Sequence, residues 1–336
     1  MQFEGKEIYE VITLGNPKLR EKSKPVENIP RVKKMCRKLL STIRYLGGVG
    51  IAAPMVGENI RMFVVDNIEE NKELGHKESS LYVVINPEIL EYSEEKETDW
   101  EGSFSLPGLA ANVSRPESIL MRYYSIDGYK CEERFEGYLA RVMQHEYDYL
   151  EGVVYLDKLE SAKDLFVENV GVDDAKKEGD KIVKIADLVL RQKCEPVKDL
   201  KAAKTLYVSM VEILKETGGV GLAAPQVGDS SRMFVVKQKE KYYAVVNPEI
   251  TFMSEDMEED WEECLSAPGY SGKVSRHKSI KIKYQTLDGK EKEDELKGFS
   301  ARVMQHEYDH LDGIVYIDRL ENLSSLVKNE NIELNT

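Results

Sequence analysis

ARVMQHEYD occupies residues 140–148 and recurs, unchanged, at 301–309. Nine identical residues in the same order lie far beyond chance, so this stretch makes the chain a tandem repeat before any element is assigned. Working outward, GGVGIAAPMVG (47–57) returns as GGVGLAAPQVG (218–228), and RMFVV at 61–65 returns at 232–236. The upstream pairs are 171 residues apart, whereas ARVMQHEYD repeats after 161. The difference sits in DNIEENKELGHKESSLYVVINPE (66–88), which the second copy shortens to KQKEKYYAVVNPE (237–249). That extra stretch is polar and charged and reads as a surface loop. A period this long means two duplicated domains rather than a solenoid.

The 336 residues suit two domains of about 160 residues, each large enough to bury its own core. The repeat boundaries give a first domain over 1–160, a linker over 161–180 and a second domain over 181–336. In the linker, SAKDLFVENVGVDDAKKEGD, the first half suggests a short helix carrying Leu165, Phe166 and Val170, and the second half a charged tether.

Both copies read alike in secondary structure. IPRVKKMCRKLLSTIRYLGG places Val32, Cys36, Leu39, Ile43 and Leu46 on one helical face, and Gly47–Gly48 ends it. The matching segment from Val197 to Gly219 does the same with Leu206, Met210, Ile213 and Leu214. β-rich runs follow: RMFVVD, LYVVIN and SILMRYY, then RMFVVK, YYAVVN and SIKIKYQT. The last alternates apolar with polar residues and leads into Asp288–Gly289, a hairpin-turn pair. A helix, several antiparallel-looking strands and a late helix bearing the HExxH segment predict an α+β domain, present twice.

Composition narrows the function. A net charge of -14 argues against nonspecific binding to nucleic acid or an anionic membrane, since phosphate contacts need clustered Lys and Arg. There is no run of 18 or more apolar residues, so no membrane span is expected. The opening MQFEGKEIYEVITLG lacks the basic-then-apolar layout of a signal peptide, which predicts a cytoplasmic protein. Cys36, Cys131, Cys194 and Cys264 show no CxxC pairing and are expected as thiols.

Chemistry concentrates in the second copy. His306 and His310 stand four residues apart, so a helix puts both imidazoles on one face where they can share a metal. Glu307 lies beside them as a base for water. HExxH alone is moderately specific and also occurs on ordinary surface helices. A metal needs a third protein ligand, and ENLSSLVKNENIELNT downstream offers only weak carboxylates. Upstream, Glu262-Glu263-Cys264-Leu265-Ser266 offers a thiolate that would complete a site with an open fourth position.

GVGLAAPQ (219–226), EECLS (262–266) and QHEYDH (305–310) together resemble, in order and spacing, the three signature motifs of peptide deformylases. The resemblance covers essentially all of copy two, and copy one through it. It implies hydrolysis of the N-terminal formyl group of formyl-methionyl nascent peptides, with release of formate. Cys264, His306 and His310 would hold one divalent metal, Fe(II) by family habit, with nickel, cobalt or zinc as alternatives. Glu307 would carry the proton from the attacking water to the leaving amine. The Gln226 amide and the Leu265 backbone N–H would stabilise the oxyanion.

Gly219 and Gly221 would let an extended peptide approach the strand edge. Val220, Leu265 and Val303 are candidate walls of a methionine pocket, or plain core. One residue departs from the family, which usually has Gly where this chain has Glu263. Its side chain either obstructs the cleft or shifts preference among the residues after methionine; the second is the reading adopted.

In the first copy Ser103 stands for Cys264, Tyr149 for His310 and Met55 for Gln226, while His145 and Glu146 persist. A hydroxyl and a phenol are poor replacements for thiolate and imidazole, so no catalytic metal is expected there. The copy would serve as an intramolecular pseudo-dimer partner or as a peptide- or ribosome-binding cleft. The acidic-to-neutral C-terminal stretch weakens a ribosome contact through the tail. Two other functions compete: a zincin-type peptidase, disfavoured by the upstream cysteine, and a noncatalytic peptide-binding protein silenced by Glu263.

Overall fold

The computed structural model describes residues 7–71, 76–167 and 181–335. Two compact units emerge, one built from the chain up to Glu160 with the segment from Glu330, the other from Ser161–Asn329.

In the first unit, α1 (Ile29–Leu46) buries Val32, Cys36, Leu39 and Ile43. Leu46, expected on the same face, is exposed beside the helix end. Gly47 closes the helix at φ 75°, where its N–H bonds to the Ile43 carbonyl; this left-handed position suits glycine, which lacks a Cβ. Among the described residues seven strands follow: β1 (Gly50–Ala52), β2 (Met62–Asn71), β3 (His76–Tyr92), β4 (Lys96–Gly102), β5 (Leu109–Pro116), β6 (Ser118–Tyr124) and β7 (Lys130–Glu136). They form an antiparallel sheet in the order β1-β2-β3-β6-β7, and a separate β4–β5 hairpin. α2 (Gly137–Leu150) carries the HExxY segment.

The described residues of the 66–88 insertion, 66–71 and 76–88, are strand rather than loop. β2 and β3 continue pairing through it, from Asp66 opposite Leu81 to Asn71 opposite His76. Cross-strand hydrogen bonds satisfy the backbone of such a ribbon, so a polar sequence can run on as strand. Among the described residues the short helix expected at the start of the linker does not form. Ala162–Asp164 makes one 3-10 turn and β8 (Leu165–Val167) is extended, with Leu165 fully buried. Val170 and the charged tether lie outside the described residues.

The second unit repeats the plan with α3 (Leu200–Thr217), β9 (Gly221–Ala223), β10 (Met233–Gln238), β11 (Lys241–Met253), β12 (Met257–Glu263), β13 (Tyr270–His277), β14 (Ser279–Gln285), β15 (Glu291–Lys297), α4 (Phe299–Leu311) and β16 (Val327–Lys328). Its main sheet runs β15-β14-β11-β10-β9, with β12-β13-β16 as a second. Strand alternation builds two cores. Met233 and Val235 of β10 pack toward Met210, Ile213 and Leu214 of α3. Phe234 and Val236 pack toward Ala301, Met304 and Leu311 of α4. The sheet thus lies between the two helices, which holds α4 in register against β9.

Residues 330–335, placed by sequence in the 181–336 domain, group instead with the first unit. The Asn331 amide donates to the carbonyls of Thr13 and Leu14, each at 3.1 Å, and the Asn335 amide to the Gly15 carbonyl at 2.8 Å. Among the described residues no helix is long and apolar enough to cross a membrane.

Candidate metal centre

Cys264, at the turn after β12, meets His306 and His310 of α4. Their donor atoms all lie within 4.8 Å of one another. Cys264 Sγ is 3.4 Å from His310 Nε2, close to the edge of about 3.5 Å that sulfur and nitrogen span on a tetrahedral ion. Burial above all, then the neighbouring His306, holds the His310 imidazole well below its usual pKa and therefore neutral, as a ligand must be. A soft thiolate with two imidazoles is a donor set that fits a divalent transition metal.

A buried ionic frame holds these donors in place. His306 Nδ1 is 2.9 Å from Glu262 Oε2. Arg276 grips Glu262 with two 2.9 Å hydrogen bonds and also bonds to Asp309, while Arg302 donates to Glu262 at 2.8 Å. Burial alone would raise the Glu262 carboxyl, but Arg276 and His306 hold it well below the usual carboxylate range. Glu262 therefore stays ionised and fixes the His306 ring, which also stacks on Tyr316 with centroids 6.3 Å apart. Sequence reading passed over this frame, although Glu262, Arg276, Arg302 and Asp309 are matched in the first repeat by Glu101, Arg115, Arg141 and Asp148.

Glu307 faces β9. It is buried, its Oε2 has no hydrogen-bond partner among the described residues, and burial pushes its carboxyl up to about 7. A Cβ added to Gly221 would collide with this carboxylate. Glycine stands in β9 so that the acid can press against the strand, a tighter reason than access for a peptide. Gln226 accepts the Ala223 N–H at 2.8 Å through Oε1, which aims Nε2 at Cys264 Sγ and Ser266 Oγ, each 3.3 Å away. Gly219, Val220, Gly221, Leu265 and Val303 line the same cleft of about 460 Å³ with Gln226, Glu263 and Glu307. Leu265 and Val303 also pack on the cores, so lining the cleft and filling the core are not exclusive for these two residues.

The first repeat keeps the frame and changes the centre. Ser103 Oγ and Tyr149 Oη share a 2.6 Å hydrogen bond, and Tyr149 is fully buried. The Met55 sulfur accepts the Ala52 N–H at 3.4 Å, taking over the bond that Gln226 makes through its carbonyl oxygen. Met55 has no amide N–H to offer beyond it. His145 still meets Glu101 at 2.8 Å. Among the described residues the one cluster of three close His, Cys, Asp or Glu donors is Cys264, His306 and His310.

The polypeptide deformylase family matches the chain twice, over residues 8–164 and 180–325. The chain belongs to this family. Its deformylase character is that of a tandem duplication on the α+β plan. A peptide deformylase of Dictyoglomus thermophilum is 43% identical over 152 residues, covering 45% of this chain and 92% of that protein. One from Thermotoga neapolitana is 38% identical over 170 residues, covering 50% and 98%. The crystal structure of peptide deformylase from Thermus thermophilus is 42% identical with a TM-score of 0.42, covering 46% of this chain and 92% of that one. Deformylases are metal-dependent hydrolases of formyl-methionyl peptides, and the chain is an enzyme of that class.

Proposed function

We propose that the second repeat alone carries the deformylation of formyl-methionyl peptides and that the first is a metal-free pseudoenzyme. The single observation behind this reading is the contrast between Cys264, His306 and His310, whose donors converge, and Ser103 and Tyr149, which bond to each other.

Cys264, His306 and His310 would hold one divalent ion, Fe(II) or else nickel, cobalt or zinc. Such an ion supplies a Lewis acid and eases the ionisation of water near neutral pH. Glu307, with its carboxyl near 7, accepts a proton from the attacking water and returns it to the leaving amine. Gln226 Nε2, locked by the Ala223 N–H, donates to the oxygen that gains charge as the formyl carbon becomes tetrahedral, and the Leu265 N–H is the second donor. β9 is the end strand of its sheet, so its free edge offers backbone groups to an extended peptide. The methionine side chain would enter between Val220, Leu265 and Val303.

The test uses the full chain, purified without oxygen and loaded with iron or nickel, acting on formyl-Met-Ala-Ser. Formate should appear without backbone cleavage. Glu307→Gln should lower the rate by about 10²-fold or more, whereas Glu146→Gln should leave it within about twofold, since the second repeat does the chemistry. Equal losses in the two variants would refute the division of labour.

A further inference from the structure

Glu263 distinguishes the second repeat from the first beside its third metal-ligand candidate, Cys264. The matching residue is Gly102, where an added Cβ would meet nothing closer than the Leu109 carbonyl oxygen at 3.7 Å. The strand therefore accepts a side chain at this position without strain. Alternation along β12 sets its direction. Glu262 turns inward to Arg276, Arg302 and His306, so Glu263 turns outward, where it is exposed and lines the cleft.

Its carboxylate is uncommitted. Among the described residues no hydrogen bond or ion pair engages it, and its cross-strand partner is the uncharged Ser271. The nearby cations are occupied elsewhere. Lys273 lies 5.3 Å from the Trp261 ring centroid and Lys328 lies 5.0 Å from that of Tyr270. Arg302, also lining the cleft, is buried on Glu262 and on the carbonyls of Val274 and Glu258.

We propose that Glu263 is a specificity-determining residue that makes this cleft favour peptides with lysine or arginine in the two residues after methionine. The inference rests on the reading that this cleft is the deformylating one. Glu263 adjoins Cys264, about 3.8 Å away along the chain. An extended peptide advances about 3.3 Å per residue, so a long cationic side chain just past the methionine comes within reach. A glutamate there meets like charge instead.

Formyl-Met-Lys-Ser, formyl-Met-Ala-Ser and formyl-Met-Glu-Ser should be compared on metal-loaded wild type, Glu263→Gln and Glu263→Gly. An exposed pair of this kind predicts kcat/KM higher for lysine than for glutamate by about fivefold, carried by KM, with alanine between. The ratio should collapse toward one in both variants, and shrink in about 0.5 M salt, where exposed charges are screened. A ratio near one in wild type, or a ratio that survives Glu263→Gln, would overturn the inference. If even the alanine peptide releases no formate, the functional reading fails first. Binding of Met-Lys-Ser against Met-Glu-Ser then decides the matter for the cleft, and equal affinities would overturn the role of Glu263.

Discussion

Tyr149 Oη lies 2.6 Å from Ser103 Oγ, so in the first repeat the residues matching His310 and Cys264 satisfy one another. Tyr149 is fully buried, Ser103 is half-buried, and Ser103 Oγ also accepts the Ser105 N–H at 3.2 Å. The shared hydrogen bond avoids an orphaned polar group, which in that position would cost on the order of 1–3 kcal/mol.

Elemental analysis should find one divalent ion per chain after anaerobic loading. Cys264→Ser should bring the content close to zero. The triple substitution Met55→Gln, Ser103→Cys and Tyr149→His should raise it toward two, since Glu101 already holds His145 in the orientation Glu262 gives His306. Two ions on the unaltered chain would show that the Ser103–Tyr149 pair had been misjudged.

Glu146 should give the first unit a pH-dependent stability. Burial pushes its carboxyl up to about 7 from an ordinary 4.5. Between those values the folded unit keeps a proton that the unfolded chain has released, so stability falls as pH rises. The loss, on the order of 3 kcal/mol, is absent below pH 4.5 and complete above 7. Glu146→Gln should therefore stabilise the first unit at pH 8 and scarcely at pH 5. Urea unfolding followed by Trp100 fluorescence in a Trp261→Phe background would read this. An equal gain at both pH values would contradict it.

Glu262 is the keystone of the second unit's frame. Glu262→Ala leaves Arg276 and Arg302 buried with one acceptor fewer and frees the His306 ring. The expected cost is about 3–5 kcal/mol of stability, with metal affinity down about 10- to 100-fold. Competition with a chelator, measured below the unfolding transition, separates the two effects. Unchanged affinity would mean that His306 is held by stacking on Tyr316 alone.

Gly221→Ala should act on chemistry more than on folding. Its methyl group would displace the Glu307 carboxylate from β9, so kcat should drop by about tenfold or more while the metal content holds. Steady-state kinetics alongside elemental analysis would show it, and a normal kcat would mean the carboxylate has room to move.

Strands with an apolar signature were legible in sequence: RMFVV, YYAVV and SIKIKY fall in β10, β11 and β14. β4 and β12 were not, because KETDWEG and MEEDWEE expose nearly every side chain and bury one glutamate each. The donor set was readable because HExxH fixes two ligands by helical spacing. The frame around Glu262 was not, since its partners come from two other elements, β13 and α4, and only folding unites them. The β2–β3 ribbon was missed for another reason: backbone pairing, not composition, made it a strand.

Asn331 and Asn335 close over Thr13–Gly15. In synthesis, those asparagines leave the ribosome only after the entire second repeat has been made. The first repeat must therefore wait for residues translated after the second before its own entry segment is fastened, reversing the usual order in which domains mature as they emerge.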